Sequence, residues 1–189
     1  PSEAKKYGQL NIPVIDIAGA YEYEGVARVQ NDDVSTGEKA GDFIRDLGVL
    51  SFAYCGVQDT RWSSLRFGGY SKALLTFPKN IATFNRSLSF YKRPQTSEAL
   101  YHFIQHLTLP AAIFCCNDIV ALKVTRHILD LSIEIPKDLS VVSVDNDPLL
   151  CTLAKPTLTS IALDCFSIGY TAASLVSSLL EKQMSDITK

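Results

Sequence analysis

Apolar residues in this chain fall into short continuous runs separated by stretches with helical spacing. Five runs read as buried strands: Pro13–Ile17, Leu50–Cys55, Ala111–Cys115, Leu139–Val144 and Leu158–Ile161. They are rich in Val, Ile, Phe and Cys and are continuous rather than alternating, as strands covered on both faces require. Ala27–Gln30 is a weaker strand candidate. Between the runs, helical patterns are expected from about Val34 to Leu47, over Ser63–Leu75, Thr96–Leu107 and Asp118–Leu131, and over Ser167–Leu180. Asp33 or Ser35 is positioned to cap the first, with Ser35 and Glu38 spaced as a capping box and Gly48 as its stop. The segment Thr76–Pro94 reads as loop with one short strand. Strands alternating with helices of this length predict an α/β fold around a parallel sheet.

The 189 residues suit one domain or two small lobes. With 47% apolar and 20% charged residues, the chain is ordinary globular protein, neither disordered nor fibrous. No apolar run approaches the roughly 18 residues of a membrane span. A net charge of −2 and a pI near 5.9 give no footprint for nucleic acid. Any DNA contact is therefore expected from another part of the protein. The five cysteines are odd in number, lack a C-x-x-C pair and sit mostly in apolar runs, which predicts reduced thiols and a cytoplasmic setting. The chain opens without Met on a polar stretch and trails away after an amphipathic one, so it reads as a piece of a longer protein.

In parallel sheets, ligands bind outside the carboxyl ends of the strands. That rule selects Asn117 and Asp118, Asp145 to Asp147, the loop from Gly56 through Trp62 to Arg66, and Tyr21 with Tyr23. Carboxylates, amides, an arginine and aromatics on one rim suit a polyhydroxylated ligand. Each residue also has a plainer reading. Asp118 is most simply a helix N-cap, Asp145-Asn146-Asp147 before Pro148 a turn, and Arg66 a solvated face residue. His102 and His106 have a zinc-compatible spacing but no evident third ligand. No P-loop, dinucleotide fingerprint or nucleophile elbow is present, and no metal or cofactor is expected. The chemistry points to binding, not catalysis.

Several ordered motifs carry a resemblance. Asn117, Asp118 and Ala121 are followed by Ile135, Pro136, Asp138, Leu139, Ser140, Val141, Val142, Asp145 and Asn146, and then by Pro156, Leu158, Thr159, Ser160 and Ile161. This order resembles the LacI/GalR family of transcriptional regulators. Ser63, Arg66, Gly69 and Tyr70 match its S-x-x-R-x-x-G-[FY] stretch, and Gly169-Tyr170-x-Ala172-Ala173 its penultimate helix. The resemblance covers nearly the whole chain. Ser143 departs from it, standing where the family usually has glycine.

The resemblance implies a type I periplasmic-binding-protein-like effector domain, in which two lobes of parallel sheet flanked by helices close on a small ligand. Residues 1–30 and 160–189 would belong to an incomplete N-terminal lobe and 31–159 to the C-terminal lobe. Carried over by position, Arg66 grips ligand hydroxyls, Asn117 and Asp145 hydrogen-bond them, Trp62 and Tyr70 join the ligand set, and Asp32 lies at the crossover between lobes. Arg61-Trp62-x-x-x-Arg66 further resembles the xylose-operon regulators, implying a sugar effector such as D-xylose, a DNA-binding domain outside this chain and a homodimer. A transport-associated sugar-binding protein of the same fold is the alternative. Arg66→Ala is expected to weaken sugar binding while leaving the fold intact.

Overall fold

The computed structural model describes residues 12–20, 23, 25–49, 51–75, 80–95 and 97–187, and the chain divides into two units at Asn31/Asp32 and Leu163/Asp164. In the first unit, strand β1 (Ile15–Asp16) pairs in parallel with β2 (Ala27–Arg28), and Arg28 Nε donates to Asp16 at 2.8 Å. This unit also holds the long helix α7 (Cys165–Ile187), whose start is fixed by Asp164 accepting from the Ser167 N–H and hydroxyl. Those two bonds hold the Asp164 carboxyl below the usual carboxylate range, although burial pulls slightly the other way.

The second unit is built on a five-stranded sheet, β4-β3-β5-β6-β7, parallel throughout. Its strands are β3 (Ser51–Val57), β4 (Ala82–Arg86), β5 (Ala111–Cys115), β6 (Leu139–Asp145) and β7 (Thr159–Ala162). Every residue of β5 is buried, as are six of seven in β3, which is why these strands read as unbroken apolar runs. The helices are α1 (Asp33–Asp46), α2 (Arg61–Ala73), α3 (Leu88–Lys92), α4 (Glu98–Gln105), α5 (Asp118–Asp130) and α6 (Pro148–Leu153). Tyr54, Phe67, Tyr70 and Phe114 pack as tilted rings, with neighbouring centroids 5.0–5.5 Å apart.

Several boundaries differ from expectation. Leu50 and Thr96, with residues 76–79, lie outside the described residues, as does the opening polar stretch. The rest of Thr76–Pro94 forms a strand and also a short helix, α3, too brief for its period to show in sequence. Pro148–Leu153 is a helix rather than the tail of a turn, because Asp147 accepts from the N–H groups of Leu149 and Leu150 with proline in the first helical turn. Ser160–Ala162 pair with β6 in the second unit, past the expected boundary at residue 159.

The start of α1 is also corrected. Its N-cap is Asp32, which accepts from the Ser35 N–H at 2.9 Å, rather than Asp33 or Ser35. The predicted capping box is replaced by a pairing of Glu38 with Lys72 on α2 at 2.7 Å. Asp33 is thereby released to turn inward. Helices α1 and α2 meet at backbone distance: a Cβ on Gly37 would lie 2.0 Å from the Arg66 carbonyl oxygen, and one on Gly69 would lie 2.0 Å from that of Val34. Glycine is required at both positions because each would otherwise drive its side chain into the other helix. No helix among the described residues is long and apolar enough to cross a membrane.

Candidate functional site

The order β4-β3-β5-β6-β7 places successive connections on opposite sides of β3, so the crevice at the carboxyl ends of β3 and β5 is the sheet's switch point. Helix α2 leaves β3 there and α5 leaves β5. Arg66, one turn into α2, is 5% exposed. Its Nε donates to Asp33 Oδ1 at 2.8 Å and its Nη1 to the Cys116 carbonyl at 2.6 Å. Asp33 stands in the first turn of α1, where the helix dipole also favours its negative charge. The guanidinium lies 5.1 Å from the Trp62 ring centroid. It therefore cannot swing freely, and two of its five N–H groups are committed to the protein.

Asp145, at the end of β6, has an oxygen 3.6 Å from Arg66 Nη1 and a side chain 42% exposed. Burial raises its carboxyl to about 6; Arg66 opposes the rise, while the charges of Asp118 and Asp33 add to it. The backbone here is strained, with φ of 110° at Asp145 and 52° at Asn146. Such a turn persists only if its surroundings hold it. The Asn146 N–H donates to Ser160 Oγ at 2.9 Å and the Asp147 N–H to Asp118 Oδ2 at 2.7 Å.

Asp118 is the centre of this support. It is fully buried and accepts from the hydroxyls of Ser143 at 2.5 Å and Ser160 at 2.6 Å, besides the Asp147 N–H. The helix cap expected of Asp118 belongs instead to Asn117, whose Oδ1 accepts from the Val120 N–H at 2.9 Å. Asn117 is consequently held by α5 at the edge of the site, with its amide nitrogen left for other partners. Ser143, the departure from the family pattern, is a working part of the network. Ser143→Gly should lower stability by about 1.5–3 kcal/mol, the worth of a hydrogen bond to a charged group. Urea midpoints of the two proteins check this, and unchanged midpoints would remove Ser143 from the network.

The structure thus brings together Arg66, Asp145 and Trp62, with Asn117 next to the carbonyl that Arg66 grips. Asp32 is occupied as the cap of α1. Tyr70, expected at the ligand, is corrected: it is fully buried, and its ring packs on Phe114 at 5.2 Å. Four residues after Arg66 on the same helix face, it points into the apolar layer between α2 and the sheet. Tyr21 lies outside the described residues and Tyr23 belongs to the first unit. Sequence reasoning missed Asp33 as the partner of Arg66, and Asp118 as a hub. Their signal was a second cap-forming residue beside each cap, Asp32-Asp33 and Asn117-Asp118, of which only one can cap.

The two thiols at the end of β5 are not activated. Cys116 is buried and its thiol is pushed up to about 12 by that burial, and Cys115 is raised well above the usual thiol range for the same reason. Among the described residues no three His, Cys, Asp or Glu side chains are placed to hold a metal.

A clamped arginine and a carboxylate thus stand together at the switch point of a parallel sheet, where a donor and an acceptor face the same crevice. The chain belongs to the periplasmic binding protein-like domain family, whose profile matches residues 42–188. It is 26% identical over 187 residues to the xylose operon regulatory protein of Escherichia coli strain K12, covering 92% of this chain and 46% of that protein. It is 28% identical over 180 residues to the arabinose metabolism transcriptional repressor of Halalkalibacterium halodurans, covering 93% of this chain and 47% of that one. The chain therefore spans about half the length of these relatives. In fold it is similar to a periplasmic binding protein/LacI transcriptional regulator from Alkaliphilus metalliredigens complexed with D-xylulofuranose. There the TM-score is 0.81 at 18% identity, over 94% of this chain and 66% of that one. A xylose-binding transcription activator gives a TM-score of 0.83 at 22% identity, over 96% and 50%.

Proposed function

We propose that this chain is part of the sugar-sensing effector domain of a transcriptional regulator, binding a monosaccharide at the Arg66–Asp145 edge. The observation that carries the reading is the pairing of a fixed donor with a fixed acceptor. The arginine is locked by Asp33 and the Cys116 carbonyl, and the carboxylate is held beside it on a strained, well-supported turn. Vicinal hydroxyls accept from the first and donate to the second, each such bond contributing about 1.5–3 kcal/mol. The Trp62 ring beside the guanidinium offers an apolar face to a sugar ring. D-xylose is the proposed effector, supported by the likeness to the xylose operon regulatory protein and by the Arg61-Trp62 pair ahead of Arg66.

In this reading DNA is contacted through a separate domain, the protein works as a cytoplasmic homodimer, and closure of two lobes on the sugar changes DNA affinity. A ligand shifts such an equilibrium only by its difference in affinity for the two states, typically about 1–3 kcal/mol. A transport-associated sugar-binding protein is the second reading, and the regulator relatives favour the first. A thermal-shift series against xylose, arabinose, ribose, glucose, galactose and adenine tests the effector. Ligand at about 100 times its dissociation constant adds roughly 2.7 kcal/mol, a rise of several degrees. A rise with xylose supports the proposal; one with another sugar keeps the sensor and discards xylose; none with any sugar overturns it.

The site also predicts a pH dependence. The folded protein holds the Asp145 proton more tightly than the unfolded chain does, so ionising Asp145 costs stability, fully so above about pH 6. Sugar binding runs the other way, because the ionised carboxylate is the stronger acceptor for a sugar hydroxyl. Sugar affinity should therefore fall as pH drops through 6, by at most about tenfold per pH unit. Calorimetric titration across that window checks the slope. Asp145→Asn should bind sugar more weakly and without this dependence; the same slope in Asp145→Asn would place the titrating group elsewhere.

A further inference from the structure

A cavity of about 330 Å³ opens against the flank of α5, apart from the Arg66 edge. That volume falls at the lower end of the usual range for small-molecule pockets, about 300–1,000 Å³. One stripe of α5 lines it, Ile119, Leu122, Lys123 and Arg126, spaced three and four residues apart so that all face the same way. Leu150 on α6 and Tyr91 on α3 complete an apolar floor. Tyr91 is fixed there, its hydroxyl bonded to the Gly56 and Phe84 carbonyls at 3.1 Å.

The charge around this floor has one sign. Lys92, Arg93, Lys123 and Arg126 all line the cavity, and no carboxylate does so among the described residues. Lys123 is 7% exposed, and among the described residues its ammonium is held by the main-chain carbonyls of Arg93 and Gln95. Burial, with the charge of Arg126, pushes its pKa down. A buried cation answered only by carbonyl dipoles is costly, and the neighbouring guanidinium of Arg126 adds repulsion. An anion relieves both. In a chain of net charge −2, four cations around an apolar hollow are not explained by general basicity.

We infer that this cavity is a binding site for a small amphipathic anion. Its carboxylate or phosphate head would lie against Arg93, Lys123 and Arg126, and its apolar body against Ile119, Leu122 and Leu150. The site is distinct in chemistry from the Arg66 edge, which pairs a donor with an acceptor and suits a neutral polyol. The two share α5, whose first turn carries Asp118, and α6, whose N-cap Asp147 donates its N–H to Asp118. This inference does not depend on which sugar, if any, the first site takes.

Hexanoate, hexan-1-ol and acetate separate head from body. Titrated into the full chain and followed by backbone amide NMR shifts, hexanoate should move the amides of Leu122, Lys123 and Leu150 with an affinity at least about tenfold above that of hexan-1-ol or acetate. Titration with inorganic phosphate and with hexyl phosphate in place of hexanoate tells whether the head preferred is phosphate or carboxylate. Arg126→Gln and Arg93→Gln, both exposed positions, should cut the preference for hexanoate over hexan-1-ol while leaving the melting temperature near that of the parent. Equal binding of hexanoate and hexan-1-ol would overturn the inference, leaving an apolar hollow without anion selection. So would shifts that miss these amides, or a preference that survives both substitutions.

Discussion

Replacing Arg66 with alanine should cost about 3–5 kcal/mol of stability, because it strands the Asp33 carboxylate inside the protein without a cation. For a chain of this size that is a fall of roughly 6–20 °C in Tm. Sequence alone predicts a variant that melts normally and merely fails to bind, whereas the 2.8 Å pairing of two side chains that are 6% and 4% exposed predicts a destabilised one. Removing both charges is a different matter, since an apolar pair of similar volume is often neutral or better. Arg66→Met with Asp33→Leu should therefore regain most of the lost stability while remaining unable to bind sugar. Thermal melts of the single and double variants, with sugar titrations of the double, separate the two roles of Arg66. A single variant that melts with the parent protein would mean that the buried pair contributes nothing, and a double variant that still binds sugar would discard the site.

Gly69→Ala should be nearly as damaging although it adds one methyl group. The new Cβ would stand 2.0 Å from the Val34 carbonyl oxygen and 2.9 Å from the Glu38 nitrogen, both main-chain atoms of α1. Backbone cannot step aside as a side chain can, so the two helices must separate. Overpacking of this kind costs about 1–3 kcal/mol or more. The separation also draws Arg66 on α2 away from Asp33 on α1, so sugar affinity should fall with stability. Gly68 is the internal control: it neighbours Gly69 on α2, a Cβ there meets nothing within 4 Å, and helix propensity alone predicts that Gly68→Ala gains up to about 1 kcal/mol. Denaturant unfolding of the two variants should move in opposite directions. Similar midpoints for both would show that the close approach is not what requires glycine at 69.

The site was legible in its ends and hidden in its middle. Arg66, Asn117 and Asp145 follow strands whose apolar runs are plain in the sequence, and the rule that ligands gather at carboxyl ends selects them without a template. What each side chain does there depends on partners distant in the chain. Asp33 reaches Arg66 across 33 residues, and Ser160 reaches Asp118 across 42. No local pattern encodes such pairings. Capping preference ranks Asp and Asn almost equally, so the pairs Asp32-Asp33 and Asn117-Asp118 leave the cap undecided. In both cases the first residue caps and the second turns inward to make the site. Tyr70 failed for the converse reason, since an aromatic one turn from a binding arginine looks the same whether it faces ligand or core.

The sequence by itself determined the main strands of the parallel sheet, the longer helices between them and the strand ends at which candidate residues gather. Period, apolar continuity and turn residues are local properties, and each is written in a few consecutive positions. Only the tertiary structure decided that Arg66 is clamped, that Asp118 supports a strained turn instead of capping a helix, and that a ring of cations surrounds an unrelated apolar hollow. Those are consequences of packing: burial makes a polar group's partner matter, and folding brings that partner from far along the chain.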